Sequence, residues 1–254
     1  MRWTITPWLL PLALAACGPQ VGLDALAAGA SGRVVEAASG DALVLAGGAQ
    51  VRLAGVEAPH GEEPYAAEAR ATLSRLTLGR EVQLLHGGAP QDPLGRTVAQ
   101  MREARTRRWI EGELQRAGAV RVRTYADNRA MARDMLIEEA RARIARRGLW
   151  ARPDYRVRLP GEVGSGERGL VVVEGRIAAA VRDGGRMRLA FAEAPGGLVA
   201  EIPRGAWDDF AVAGLGIETL PHRLLRLRGT VRTNGGRPIL WLDHPEQVEP
   251  LKGG

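Results

Sequence analysis

The chain has one cysteine, Cys17, so it can form neither an internal disulfide framework nor a cysteine-based zinc cluster. It also has one lysine, Lys252, although lysine and arginine together number 35. The formal net charge of +6 at pH 7 is therefore carried by arginine. That balance permits binding to polyanions, but GC-rich codon usage and solvated arginine faces account for the bias equally simply. Beyond its first 16 residues the chain has no apolar run long enough to span a membrane. What remains, 45% hydrophobic and 25% charged residues, suffices for a buried core and excludes wholesale disorder. A length of 254 residues fits two small domains.

Met1 to Ala16 carries one early positive charge, Arg2, followed by an apolar run through Trp8, Leu9, Leu10, Leu12 and Leu14. The run is shorter than the roughly 20 residues of a membrane-spanning helix and reads as a secretory signal. Leu14-Ala15-Ala16-Cys17 resembles the bacterial lipobox, in which the cysteine is lipidated and becomes the first residue after cleavage. Residues 1–17 are thus expected to be a lipoprotein signal and 18–31 a Gly/Ala-rich tether. The expected location is outside the cytoplasm, held to a membrane facing the periplasm or cell surface. An ordinary cleaved signal, giving a soluble secreted or periplasmic protein, is the alternative.

From Gly32 the pattern turns regular. Arg33 to Ala38, Ala42 to Ala46 and Gln50 to Val56 read as strands, the last two joined through Gly47 and Gly48. Pro64 opens a helix carrying Ala66, Ala69, Leu73 and Leu76, with Gly79 as its stop. Two further strands, Glu81 to His86 and Arg96 to Met101, flank a Gly/Pro/Asp-rich loop. A helix follows through Ile110, Leu114 and Ala117. Another, capped by Asp127, carries Ala132, Leu136, Ala140 and Ile144 and stops at Gly148. Its arginines, Arg129, Arg133, Arg141, Arg143, Arg146 and Arg147, alternate with Glu138 and Glu139 and read as a solvated face.

The expected fold class is α+β, mainly β: a five-stranded OB-type barrel with about three helices over residues 32–151. Residues 152–168 read as a linker. Residues 169–254 read as a second small OB-like barrel, with strands near 170–177, 186–192, 198–202, 224–231 and 238–242, a short helix from Trp207, and a hairpin at Asn234-Gly235. Arg188 to Pro195 (RLAFAEAP) echoes Arg52 to Pro59 (RLAGVEAP), but no Gly-Asp pair stands at the matching distance upstream, so the echo is taken as coincidence.

Chemistry concentrates in the first domain. Gly40-Asp41 opens one strand, Arg52 to Pro59 ends the next, and Asp92 with Gly95-Arg96 opens another. This ordered set, with the helix-Gly-small pattern from Leu114 to Val122, resembles the staphylococcal nuclease (thermonuclease) family. The resemblance implies a Ca²⁺-dependent phosphodiesterase, an endonuclease acting on DNA or RNA. Asp41 and Glu57, aided by the Ala58 carbonyl, would hold the metal. Arg52 and Arg96 would be the catalytic arginines that stabilise charge building on phosphorus. The family's glutamate, taken as general base or water-orienting group, falls on His60, and its threonine falls on Ala58. Water activation would therefore rest on His60, or on Glu62 or Glu63 from the same loop. Tyr125 resembles a base-stacking, substrate-binding tyrosine. The alternative is a catalytically degenerate lipoprotein that binds nucleic acid or an envelope partner without cleaving it. The expected partners are nucleic acid and, through Cys17, a membrane. Nothing in the sequence points to an obligate protein partner.

Overall fold

The computed structural model describes residues 22–251. Cys17 and the apolar run before it lie outside the described residues. Strand β1 spans Ala27–Ala37, so the tether expected to reach residue 31 gives way to structure earlier, through a 3-10 turn at Leu23–Ala25. The reason is that a ladder needs only backbone groups, and Ala and Gly can supply these without any side-chain period. Ala27 pairs with His86 and Arg33 with Glu81 of β5 (Glu81–His86), and a Cβ at Gly29 would lie 2.5 Å from the His86 ring.

Strand β2 (Ala42–Leu45) and β3 (Gln50–Leu53) form the expected hairpin, with Gly47 and Gly48 at positive φ. The third strand expected through Val56 breaks at Gly55, whose φ of 74° turns the chain outward. Val56–Glu57 then forms β4, which leaves the barrel to pair with β7 (Arg121–Val122). Helix α1 spans Ala66–Thr77, β6 Thr97–Glu103, α2 Ile110–Ala117 and α3 Ala132–Ile144. The barrel closes in the order β1-β2-β3-β6-β5, with β3 and β6 parallel. This is the OB path, packed on Val34, Leu43, Leu53, Leu73, Val82, Met101 and Leu114.

Asp127 does not cap α3. The N-cap is Met131, with no side-chain bond, because the Asp127 carbonyl is engaged by the Ala89 amide and the chain first makes a turn at Tyr125 to Asn128. Two glycines at positive φ, Gly118 and Gly148, bring the ends of α2 and α3 together. A Cβ on either would come within 2.2 Å of a backbone oxygen of the other segment, and Leu149 donates to the Gly118 carbonyl at 2.8 Å.

The second domain follows the same path. It contains β8 (Leu170–Asp183), β9 (Arg186–Phe191), β10 (Val199–Pro203), α4 (Trp207–Val212), β11 (Leu224–Asn234), β12 (Arg237–Trp241) and β13 (Val248–Pro250). Five strands close in the order β8-β9-β10-β12-β11, with β10 and β12 parallel and β13 added beside β11. Arg188 lies on the second strand of its barrel and Arg52 on the third of its own, so the two similar octapeptides are not structural counterparts. The β11–β12 turn is made by Gly235 and Gly236, both at positive φ between paired Asn234 and Arg237, one residue later than expected.

The 152–168 segment expected as a linker is packed. Tyr155 is buried and donates its hydroxyl to the Pro64 carbonyl, Val163 enters the second core, and Arg158 bridges to Val173. Pro and Gly shape it into 3-10 turns that have no long apolar period, which hid its packing from the sequence. Nor is the face of α3 wholly solvated. Arg228 from β11 is 1% exposed and meets Glu139, itself fully buried, at 2.8 Å, with Glu249 on its other side. Burial opposes the Arg228 charge, but these two carboxylates outweigh it and raise its pKa. Arg121 donates to the Leu170 carbonyl at 2.8 Å, and Arg129 pairs with Asp209 and Glu246. The two barrels are thus joined by buried ionic and backbone contacts. No helix among the described residues is long and apolar enough to cross a membrane.

Replacing Arg228 with Met leaves Glu139 and Glu249 without their shared cation at the domain junction. The expected outcome is a loss of about 3–5 kcal/mol in urea denaturation. An unchanged midpoint would mean that the pair is no more than neutral to the fold.

Candidate functional site

Asp41 sits just before β2 and is 1% exposed. It reaches its position because residue 40 is glycine: a Cβ there would lie 2.6 Å from the Ala58 side chain and 2.7 Å from that of Ala69. The close approach lets the Ala58 amide donate to Asp41 Oδ2 at 3.1 Å, while the Ser39 hydroxyl donates to Oδ1 at 2.7 Å. His60 Nε2 lies 3.3 Å from Oδ2, and Arg52 Nη2, from β3, lies 3.9 Å from the same oxygen. Burial alone would raise the Asp41 pKa. The hydrogen bonds from His60 and Ser39 overcome it and hold the carboxyl below its usual range. The same bond to Asp41 raises the His60 pKa above 6.5 against partial burial. A groove of about 690 Å³ opens beside His60, between the end of β1 and α1.

Glu57 faces other partners. On β4, opposite Arg121 of β7, its Oε1 accepts from Arg121 Nη2 at 3.2 Å and its Oε2 from Arg123. Both oxygens are thereby taken by guanidinium groups. Tyr125, 39% exposed, lies beneath two cations, with the Arg52 and Arg123 guanidinium carbons 6.0 and 5.5 Å from its ring centre.

Arg96 precedes β6, two residues before Val98, which pairs with Arg52, so both arginines stand on one face of neighbouring parallel strands. Its Nε and Nη2 hold Asp92 Oδ2 at 2.7 Å each, and Asp92 Oδ1 accepts from the amides of Leu94 and Arg96. Glu63 accepts from the His60 amide at 2.8 Å, closing the turn rather than reaching Asp41. Glu62 is exposed on that loop, with no hydrogen bond or ion pair to the Asp41 group among the described residues.

The structure therefore brings together Asp41, Arg52, His60, Ala58 and Tyr125. It turns Glu57 away to Arg121 and Arg123 and leaves Arg96 tied to Asp92. Arg121 and Arg123 were not among the residues singled out from the sequence, although their spacing of two beyond Gly118 places them on one side of an extended segment.

This donor set does not fit Ca²⁺, which takes six to eight oxygen ligands. Asp41 offers oxygens already bonded to Ser39, Ala58 and His60, and Glu57 offers none that is free of arginine. Ala58 has no hydroxyl to add. Three guanidiniums, Arg52, Arg121 and Arg123, face two carboxylates, Asp41 and Glu57, and the Glu63 carboxylate acts on both His60 and Arg121. Among the described residues, no group of three or more His, Cys, Asp or Glu side chains is placed to hold a metal.

The expected pH behaviour is specific. By NMR, His60 should titrate above 6.5 and fall back toward that value in Asp41→Asn. Its pairing stabilises the fold fully below pH about 6.5 and loses that contribution as pH rises through the raised folded value. An unshifted His60 would show that the pair does not form.

Compared with known families, residues 50–152 match the one described as Staphylococcal nuclease homologue, a span that starts after Asp41 and runs from β3 past α3. No curated protein matches the chain.

Proposed function

We propose that the first barrel, whose residues 50–152 match the family described as Staphylococcal nuclease homologue, binds the phosphodiester backbone of nucleic acid without calcium-dependent cleavage. The observation that carries this reading is the clamp on Glu57. The second carboxylate that the family resemblance assigns to the metal is neutralised by Arg121 and Arg123. What remains are the Arg52 and Arg123 guanidiniums over Tyr125, whose ring offers a stacking surface for a base. Arg52 supplies a planar fork suited to phosphate oxygens, and Arg123 and Arg96 would add theirs by exchanging Glu57 and Asp92 for phosphate. Arg52 and Arg96 would receive successive phosphates along the parallel β3 and β6 strands.

A second reading keeps one specific observation: the Asp41–His60 pair beside Arg52 is a base and a cation within reach of one another. It supports a phosphodiesterase in which His60 orients water. One assay separates the readings. The full chain, purified in detergent, should bind oligothymidylate with a log Kd that rises with log salt at a slope of about 2, as expected for three phosphate contacts to a single strand. It should leave the oligomer intact with calcium or EDTA, and Arg52→Ala should weaken binding about tenfold. Calcium-dependent cleavage that EDTA stops would overturn the binding reading in favour of the phosphodiesterase.

The site's location is part of the proposal. The lipobox resemblance at Cys17 supports an exported chain anchored by acyl chains, each buried CH₂ contributing roughly 0.8 kcal/mol. Cys17→Ser should abolish palmitate incorporation and release the protein from the membrane fraction; retention of label would place the modification elsewhere.

A further inference from the structure

On the second barrel, the outward face of β9, β10, β11 and β12 carries arginines laid on indole rings. Leu189, Ala200, Val231 and Leu240 point into the core, so the alternating residues Arg188, Glu201, Arg232 and Trp241 point out. The Arg232 guanidinium lies 4.5 Å from the Trp241 ring centre, with that of Arg186 at 5.8 Å. On the opposite face of the β8–β9 hairpin, where Arg182 pairs with core-facing Met187, Arg182 lies 4.7 Å from the ring of Trp207. Both indoles are half-buried, so each ring keeps an open portion.

The charges on this face divide into two kinds. Arg186 and Arg188 are neutralised by Glu201, and Arg188 also by Asp183. Arg232 is exposed and forms no ion pair among the described residues. An exposed cation–π contact adds little stability, a modest return for holding an unpaired guanidinium over a ring. The same arrangement presents a positive charge beside a stacking surface, which suits a phosphate next to an unpaired base.

This face is also continuous with the first domain. A cleft of about 130 Å³ at the junction is lined by Arg123, Tyr125, Thr230, Arg232 and Trp241, and Arg123 Nη2 donates to Thr230 Oγ1 at 3.4 Å. Tyr125, which stacks under Arg52, therefore opens onto the same cleft as Trp241.

We propose that the second barrel is a single-stranded nucleic-acid binding module, whose Trp241–Arg232 platform extends the Arg52–Tyr125 site into one track across both domains. The proposal rests on the nucleic-acid reading of the first domain. The ligand is a single strand, because stacking on Tyr125 and Trp241 needs unpaired bases and the neutralised arginines leave too little unpaired charge for duplex binding by backbone contacts alone.

The test is fluorescence anisotropy on the full chain in detergent, with oligothymidylates of about 5 and about 16 nucleotides, spanning the site sizes of one OB barrel. Trp241→Ala and Arg232→Glu are each expected to weaken the longer oligomer about tenfold and leave the shorter one unchanged, whereas Arg52→Ala weakens both. Arg232 is exposed, so its variant carries the test if Trp241→Ala fails to fold. Unchanged affinity of Arg232→Glu for the longer oligomer, with Arg52→Ala still weakened, overturns the track and leaves the first-domain reading standing. Competition by duplex as strong as by single strand also overturns it. Absence of binding by the unaltered chain overturns both.

Discussion

Glu139 is the residue on which the arrangement turns. It is a fully buried carboxylate in mid-helix, and such a charge is tolerated only when its partners are fixed. One oxygen accepts the Val122 amide at 2.6 Å, which pins β7 against α3, and the other meets Arg228 at 2.8 Å, which pins the second barrel. Strand β7 in turn carries Arg121 and Arg123 to Glu57. The electrostatic character of the surface site, where guanidiniums face carboxylates, is therefore set by a buried ion pair one layer below it. Domain packing and site chemistry rest on the same few bonds.

Much of this was legible in the sequence, and the reasons are local. The hairpin glycines, the 3.6-residue spacing of Ala69, Leu73 and Leu76, and the strand, helix and turn order led directly to two OB-type barrels. The lost parts share one physical cause, since each depends on what a residue meets rather than on what it is. Ala27 to Ser31 has no side-chain period, yet its backbone completes the first barrel against β5. The 152–168 segment has loop composition but buries Tyr155 and Val163. Asp41 and Arg52 stand out in the sequence because their spacing resembles the family pattern, and His60 because it stands where that pattern has a glutamate. Glu57 was assigned a metal because its position carries the same pattern, and nothing in that position reveals two arginines arriving from β7. The charge alternation of α3 looked like a solvated face because Glu139's partner lies some 90 residues further along the chain, on β11.

The two barrels show how one path serves different surfaces. On the outward side of the third strand the first barrel presents Arg52, facing Asp41, whereas the second presents Glu201, buried beneath Arg186 and Arg188. The sign of the central charge is reversed, so the second barrel cannot repeat the first one's site. Its Trp241 stands instead toward the junction, where it and Tyr125 line one cleft.

The early start of β1 has a mechanical consequence. Ten peptide steps separate Cys17 from Ala27, and a fully extended chain covers at most about 3.6 Å per residue, so the two lie no more than about 36 Å apart. For a lipidated Cys17, the start of the first barrel would stay within that distance of the membrane. The protein would sweep a thin shell above the lipid headgroups rather than the volume of the compartment. Its encounters would then be with polymers already lying along the membrane, and its on-rate would follow their surface density rather than their bulk concentration.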